Sequence, residues 1–198
     1  MRGDSVFPST PEYNPVEENQ NQNQSQNKIN FYQNNFNNIN DFEIVVMSEN
    51  DLSAVTEIEN SVANPSWKLS HFRDSFDDKN NTFCWVMKSK YNKNQVIGFA
   101  LVMLILDEAH LLNIAIREEF RGKGLAAKFL KFMFEFVAKK SATTMFLEVR
   151  FFNETAKKLY QSFGFQQIGL RKKYYSAKIT NNTPNGKEDA IIMSKKII

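Results

Sequence analysis

Residues 114–140 read IAIREEFRGKGLAAKFLKFMFEFVAKK, and this segment decides the fold. Alternating apolar residues predict a strand that ends at two glutamates, after which the turn Arg-Gly-Lys-Gly follows. Apolar side chains then recur at helical spacing and predict a helix from about Gly124 to Lys140. These side chains are Leu125, Phe129, Phe132, Met133, Phe136 and Val137. The segment therefore reads as a strand, a glycine turn and a helix in direct succession.

The glycine turn places two cations where the helix begins. The first four N–H groups of a helix have no partner within it, and the helix dipole attracts anions to this end. Gly122 and Gly124 allow backbone conformations and close approaches that a Cβ would prevent, and Arg121 and Lys123 add positive charge. The pattern is compatible with a pyrophosphate site, and equally with the ordinary use of glycine at a strand-to-helix turn. It is neither a Walker loop, because Gly-Lys-Ser/Thr is missing, nor a dinucleotide fingerprint, which would follow the first strand of a parallel βαβ unit.

Composition argues against several classes of function. The formal net charge of +3 is too small to indicate nucleic-acid binding. The single cysteine, Cys84, excludes an intrachain disulfide, and with His71 and His110 it forms no metal-ligand spacing, so no metal is expected. The longest apolar run, residues 97–106, is shorter than the roughly 20 residues that cross a bilayer. We therefore expect a cytoplasmic protein that binds neither nucleic acid nor membrane.

The chain divides into a polar tail and one folded domain. Residues 19–27 read NQNQNQSQN, and NNFNNIN continues the same bias. Such a tract buries too little apolar surface to offset the entropy lost on ordering, about 1–2 kcal/mol per residue. We predict a disordered Asn/Gln-rich tail over residues 1–41 and a folded domain over residues 42–198.

The folded domain alternates strands and helices without an internal repeat. FEIVVM is followed by two helical segments, then by three strands, TFCWVMKS, QVIGFALVMLIL and EAHLLNIAI. The helix of the glycine turn, the strand TMFLEVR, the helix NETAKKLYQSFGF and two final strands complete the chain. The order β-α-α-β-β-β-α-β-α-β-β predicts an α+β sheet with helices packed on its faces.

Several motifs together resemble the GCN5-related N-acetyltransferase (GNAT) family. Arg121, Gly124 and Ala126 match the Arg-x-x-Gly-x-Ala of its acyl-CoA loop, and LLNIAIREEFRGKGLAAKFL resembles its strand, loop and helix as a unit. FLEVRFFNETAKKLYQSFGF resembles the following strand and helix, and KEDAIIM resembles the last strand of the ribosomal-protein alanine N-acetyltransferases (RimI type). The resemblance covers about residues 42–198. It implies a mixed, mostly antiparallel sheet of about seven strands whose fourth and fifth strands splay apart.

The resemblance also implies acetyl-CoA as the co-substrate. The pantetheine arm would lie between the splayed strands and pair with the backbone of Asn113, Ile114, Ala115 and Ile116. The N–H groups that would hold the pyrophosphate belong to Arg121, Gly122, Lys123, Gly124, Leu125 and Ala126. Asn153, which opens the next helix, touches the cofactor in the family and is equally suited to a plain N-cap, and both roles can hold together.

Two residues are candidates for proton transfer. Glu148 lies in the apolar strand MFLEV, where a carboxylate either faces a cleft or pairs with a neighbouring cation. Tyr160 lies in the apolar stripe of its helix, where a tyrosine is usually a core residue. In the RimI-type subfamily the Glu of LEVR is the general base, and in the family the Tyr of the LY pair is the general acid. His110 is an alternative base or a surface residue, and Cys84 reads as a small buried hydrophobe, so direct transfer is expected.

The resemblance implies an acceptor, the N-terminal alanine of a small-subunit ribosomal protein. The subfamily usually has Pro-Trp-Ser between its first helices, whereas this chain has Pro-Ser-Trp at 65–67, and it keeps Tyr174 and Tyr175 but has Ser176 where proline is usual. Trp67, Tyr174 and Tyr175 are candidate walls of the peptide groove, or plain core and surface residues. Acetylation of a lysine or small amine, and a non-catalytic acyl-CoA-binding module, remain the alternatives.

Overall fold

The structure is a computed structural model that describes residues 39–62, 66–92 and 95–197. Its strands are β1 Phe42–Val46, β2 Thr82–Ser89, β3 Val96–Ile105, β4 Glu108–Ile116, β5 Thr144–Arg150, β6 Gln166–Ser176 and β7 Lys187–Lys196. Its α-helices are α1 Leu52–Val62, α2 Leu69–Asp77, α3 Leu125–Lys139 and α4 Glu154–Ser162. The predicted order of elements and the α+β class are confirmed. Residues 1–38 of the predicted tail lie outside the described residues, and residues 39–41 form a short 3₁₀ helix before β1.

All seven strands belong to one sheet in the order β1-β2-β3-β4-β5-β7-β6. β4 and β5 run parallel, because α3 crosses over between them, and the other neighbouring strands run antiparallel. This confirms the predicted mostly antiparallel sheet.

The two parallel strands separate after a short ladder. β4 pairs with β5 only from Glu108 to Leu111, opposite Thr144 to Leu147. The rest of β4 stays with β3, whose register shifts between Leu101 and Val102 because β4 carries a bulge there. The predicted splay of the fourth and fifth strands is therefore present.

Helices cover both faces of the sheet, as β2 demonstrates. Cys84 packs on one face in a buried cluster with Val55 of α1 and Phe72 of α2. The next residue, Trp85, points to the opposite face, where its ring centre lies 4.8 Å from that of Phe136 in α3. Since successive residues of a strand alternate between faces, β2 is buried from both sides.

Element ends differ slightly from the predicted ones for local reasons. α3 begins at Leu125 because Gly124 has a φ of +74°, outside the helical region. β7 begins at Lys187, and its first residues pair with the end of β6 at Ser176. No helix among the described residues is long and apolar enough to cross a membrane.

Candidate active site

The glycine turn has the backbone geometry that its sequence predicts. Gly122 has a φ of +75° and Gly124 a φ of +74°, a region that other residues rarely adopt. A Cβ on Gly122 would meet no atom of the described residues within 4 Å, and on Gly124 it would lie 3.7 Å from Ile39. Conformation rather than crowding therefore requires the two glycines, and the turn is open on its outer side.

The first turn of α3 has no side-chain cap in the described structure. The N–H groups of its first residues, Leu125 and Ala126 among them, thus point out of the helix without an intrahelical partner. Arg121 is anchored beside them, because its Nε donates to the carbonyl of Ile116 at 3.1 Å. Lys123 lies over the ring of Phe120, at 5.8 Å from its centre. The N–H groups at the start of α3, together with the positive charges of Arg121 and Lys123, can hold a diphosphate.

The strand that leads into this turn has one free edge. Residues 113–116 of β4 pair with β3, whereas the ladder with β5 has already ended at Leu111. Asn113 and Ala115 lie opposite Leu101 and Phe99, which face α1, and the alternation turns Ile114 towards the other face. The backbone on the β5 side is therefore available to pair with an extended ligand.

Gly98 of β3 is a residue that sequence analysis missed. A Cβ there would lie 2.6 Å from the carbonyl oxygen of Ala115 and 2.5 Å from Cδ1 of Ile116. β3 thus approaches the part of β4 beyond its ladder with β5 more closely than a larger residue at this position permits. The signal was a lone glycine inside the apolar run VIGFALVMLI, which often marks a close backbone approach.

Glu148 lies on β5 just beyond the ladder and pairs with a cation. Its Oε1 is 3.2 Å from an Nη atom of Arg171, a residue of β6, and the two side chains are 27% and 53% exposed. Tyr174 is also beside it, and partial burial, followed by the charge of Glu148 and a hydrogen bond to it, raises the pKa of the Tyr174 phenol. Of the two environments considered from the sequence, pairing with a cation is observed, and it occurs next to the gap between β4 and β5.

Tyr160 of α4 is buried, with its ring 5.8 Å from that of Phe165 in an edge-on contact. Its hydroxyl makes no hydrogen bond to another described residue. Burial, with a smaller effect of Tyr175, raises the pKa of the phenol above its ordinary value of 10.0. The hydroxyl therefore keeps its proton at neutral and mildly alkaline pH and can donate it.

Tyr175 connects the two candidate catalytic residues electrostatically. Burial, and then the charge of Glu148, raises the pKa of its phenol to about 12. The guanidinium of Arg150 lies 4.5 Å above its ring and is itself paired with the buried Glu188 at 3.0 Å. Glu188 also accepts from the backbone N–H of Phe152 at 2.9 Å, in the turn between β5 and α4. Arg150, which sequence analysis did not single out for this role, thus packs against the face of the Tyr175 ring and is held there by Glu188.

Asn153 is the N-cap of α4. Its Oδ1 accepts from the N–H of Ala156 at 3.1 Å, which is the capping role weighed from the sequence. The side-chain NH₂ is at the exposed end of the helix, so capping leaves a donor for a ligand.

Trp67 lies on the other side of β4, in the segment between α1 and α2. Its half-buried ring packs 5.4 Å from that of Phe72, and its backbone N–H donates to Glu59 at 3.1 Å. The other carboxyl oxygen of Glu59 accepts from the amide of Asn113 at 3.2 Å. Glu59 is a second residue that sequence analysis missed, since its partners are eight and 54 positions away.

His110 and Cys84 lie in ordinary structural settings. His110, in the paired part of β4, contacts Glu108 at 3.1 Å and stacks on Phe146. Cys84 is buried in the core as expected, and burial raises the pKa of its thiol to about 12. A thiol that holds its proton so strongly is a poor nucleophile, which favours direct transfer. No cluster of three or more potential metal ligands occurs within the described residues.

Comparison with known proteins agrees with this geometry. Residues 52–165 match the acetyltransferase (GNAT) family. The chain is 33% identical to the [ribosomal protein bS18]-alanine N-acetyltransferase of Haemophilus ducreyi over 76% of this chain and 97% of that protein. It is 32% identical to the Escherichia coli K12 protein of the same name over 74% and 92%. The crystal structure of the E. coli ribosomal-protein-S18-alanine N-acetyltransferase superposes with a TM-score of 0.69, at 29% identity, over 79% of this chain and 94% of that one.

Proposed function

Because the chain belongs to the GNAT family of acetyltransferases, we propose that it transfers acetyl from acetyl-CoA to the N-terminal α-amine of a protein, the N-terminal alanine of ribosomal protein bS18. The observation that carries this proposal is the similarity, at 32–33% identity, to enzymes of that name over more than nine-tenths of their length.

Acetyl-CoA lies along the free edge of β4 and at the start of α3. The pantetheine arm lies along Asn113, Ile114, Ala115 and Ile116 and pairs with the backbone groups that point away from β3, and the amides of Gly122, Lys123, Gly124, Leu125 and Ala126 hold the pyrophosphate. Arg121 contributes its charge, because its own N–H donates to the carbonyl of Glu118 at 3.1 Å. The missing helix cap and the open outer side of the turn support this assignment. The free NH₂ of Asn153 is a further donor to the cofactor.

Glu148 is the general base of the transfer. An amine attacks the thioester carbonyl only when neutral, so an ammonium must first lose a proton, directly or through a water, to the carboxylate. An α-amine has a pKa of about 7.7–8.0, against about 10.4 for lysine, so a carboxylate suffices for the former. In its ion pair with Arg171, the Glu148 carboxylate already attracts a positive charge at this position.

Tyr160 is the general acid. As the C–S bond breaks, the pair of electrons stays on sulfur, and the thiolate takes the phenolic proton. The buried phenol, whose hydroxyl has no hydrogen bond to a described residue, retains that proton until the thiolate forms. Tyr174 and Tyr175, next to Glu148, form one wall of the groove for the acceptor peptide. Trp67, in the segment between α1 and α2, forms the other wall.

Mass spectrometry of short peptides incubated with the protein and acetyl-CoA tests the proposal. Peptides that begin with Ala, Ser, Met or Gly are compared, together with polyamines and an N-terminally blocked peptide that contains lysine. We expect one added acetyl on the α-amine, fastest for the alanine peptide that carries the bS18 sequence. Turnover of lysine or polyamines alone would replace the proposed acceptor, and binding of coenzyme A without any turnover would indicate a non-catalytic module.

A further inference from the structure

The carboxyl group of Glu59 is buried in an unusual setting. Glu59 is 4% exposed, and no lysine or arginine among the described residues pairs with its carboxyl group. Removing a carboxyl group from water costs several kcal/mol unless hydrogen bonds replace the water, and an apolar side chain of similar volume often serves stability equally well. Its presence therefore points to a role in placing its two partners.

These partners lie on two different elements of the candidate active site. Glu59 Oε1 accepts from the backbone of Trp67, and Oε2 accepts from the side-chain amide of Asn113. Trp67 belongs to the segment between α1 and α2, and Asn113 lies two residues beyond the point where β4 leaves β5. Glu59 thus joins the segment beside the acceptor groove to the first splayed residues of β4.

The contact also determines which way the Asn113 amide points. Since the carboxyl oxygens of Glu59 act as acceptors, Asn113 must turn its NH₂ group towards Glu59. The carbonyl oxygen Oδ1 is then directed away from Glu59 and makes no hydrogen bond with a described residue, and Asn113 itself is only half-buried. An acceptor fixed in this way, at the mouth of the gap between two strands, is suited to bind an N–H group.

On the basis of the proposed function, we propose that Glu59 is a positioning residue that orients Asn113 so that Oδ1 accepts a hydrogen bond from an N–H group of the acceptor substrate. Glu59 itself does not touch the substrate. The backbone of Asn113 keeps its separate role along the pantetheine arm.

Glu59→Gln is the sharpest test, because it preserves the shape of the side chain and replaces one acceptor oxygen with an NH₂ donor. The new amide can still accept from Trp67 through its oxygen, but its NH₂ group then faces Asn113. The Asn113 amide must flip to accept this bond, so it presents NH₂ instead of Oδ1 to the substrate. We expect kcat/KM for the peptide to fall about 10- to 100-fold, mainly through KM, while the Kd of coenzyme A stays within about 2-fold.

The double variant Glu59→Gln/Asn113→Asp provides the rescue. Its aspartate accepts from the introduced amide and presents an oxygen to the substrate again, so we expect kcat/KM to return to within about 5-fold of the wild type. Glu57→Gln, two residues earlier on α1, is the matched control, because Glu57 is 68% exposed and pairs with Arg117. It should leave peptide turnover unchanged.

The possible outcomes separate the two proposals. Wild-type kinetics in Glu59→Gln, or parallel losses of peptide turnover and coenzyme A affinity without rescue, would overturn the positioning role. If Glu59→Gln does not fold, Asn113→Ala should give the same rise in peptide KM, and an unchanged KM there would equally overturn it. If the wild type acetylates some other amine and no peptide, the proposed function fails alone, and the variants are compared with that amine.

Discussion

Replacing Gly98 of β3 by alanine should displace the neighbouring strand β4, which is proposed to bind acetyl-CoA. The added Cβ would lie 2.5 Å from Cδ1 of Ile116 and 2.6 Å from the carbonyl oxygen of Ala115. A flexible Cδ1 can rotate away, but the carbonyl belongs to the β3–β4 ladder and cannot. Because ordinary contact begins at about 3.4 Å, the two strands would have to separate locally by about 0.8 Å.

The cost of this separation in the free energy of unfolding can be estimated from two opposing effects. Overfilling a packed interior typically costs about 1–3 kcal/mol in the free energy of unfolding, and Gly→Ala recovers about 0.4–1 kcal/mol through the unfolded state. For a chain of this size, each kcal/mol corresponds to about 2–4 °C in Tm. The net cost is about 0–2.6 kcal/mol, so we expect Gly98→Ala to lower the Tm by up to about 10 °C. It should also weaken coenzyme A binding several-fold, because residues 115 and 116 move.

Thermal unfolding and calorimetric titration with coenzyme A measure these two effects. Gly169→Ala is the matched control in β6, since its Cβ would lie 3.3 Å from the flexible Cδ1 of Ile192 and at ordinary contact distances, 3.7 and 3.8 Å, from the Cβ and Cγ1 of the same side chain. The control should shift the Tm by less than about 2 °C and leave affinity unchanged. If Gly98→Ala matched the wild type in both measurements, the close approach of β3 to β4 would not exist as described.

Three further variants probe the chemistry. Glu148→Gln should lower kcat by about 10²- to 10⁴-fold at pH 7, and the deficit should shrink above about pH 8, where the α-amine is already neutral; a deficit independent of pH would contradict the base role. Tyr160→Phe should lower kcat while the Kd of coenzyme A stays within about 2-fold, and an effect on affinity alone would exclude the acid role. Burial raises the pKa of the Tyr175 phenol to about 12, so the native state holds that proton after the unfolded state has lost it near pH 10. The free energy of unfolding in urea should therefore fall as the pH rises from 10 towards 12, less steeply in Tyr175→Phe, and equal slopes would refute this.

The fold was predictable because its signals are local. The periodicity of residues 125–137 reports one buried helix face, and the positive φ of Gly122 and Gly124 follows from their place before that helix. Glu148 and Tyr160 were identifiable only through resemblance to a family, because a carboxylate in a strand and a tyrosine in a helix are ordinary by themselves.

The remaining parts of the site depend on contacts between distant positions. Glu59 and Asn113 are 54 residues apart, and Arg150 and Glu188 are 38 residues apart. No periodicity or spacing along the chain pairs such residues, since the pairs arise only when the sheet assembles. The tight approach at Gly98 is likewise a property of two strands together rather than of either one.

The short ladder between β4 and β5 divides the sheet into two blocks of strands that are connected by few backbone hydrogen bonds. One block contains β1 to β4, the other contains β5, β7 and β6, and only four residue pairs connect them within the sheet, Glu108–Leu111 with Thr144–Leu147. A molecule lodged in the gap touches both blocks and resists their parting. A ligand bound in the gap would therefore stabilise the sheet against separation of these two blocks.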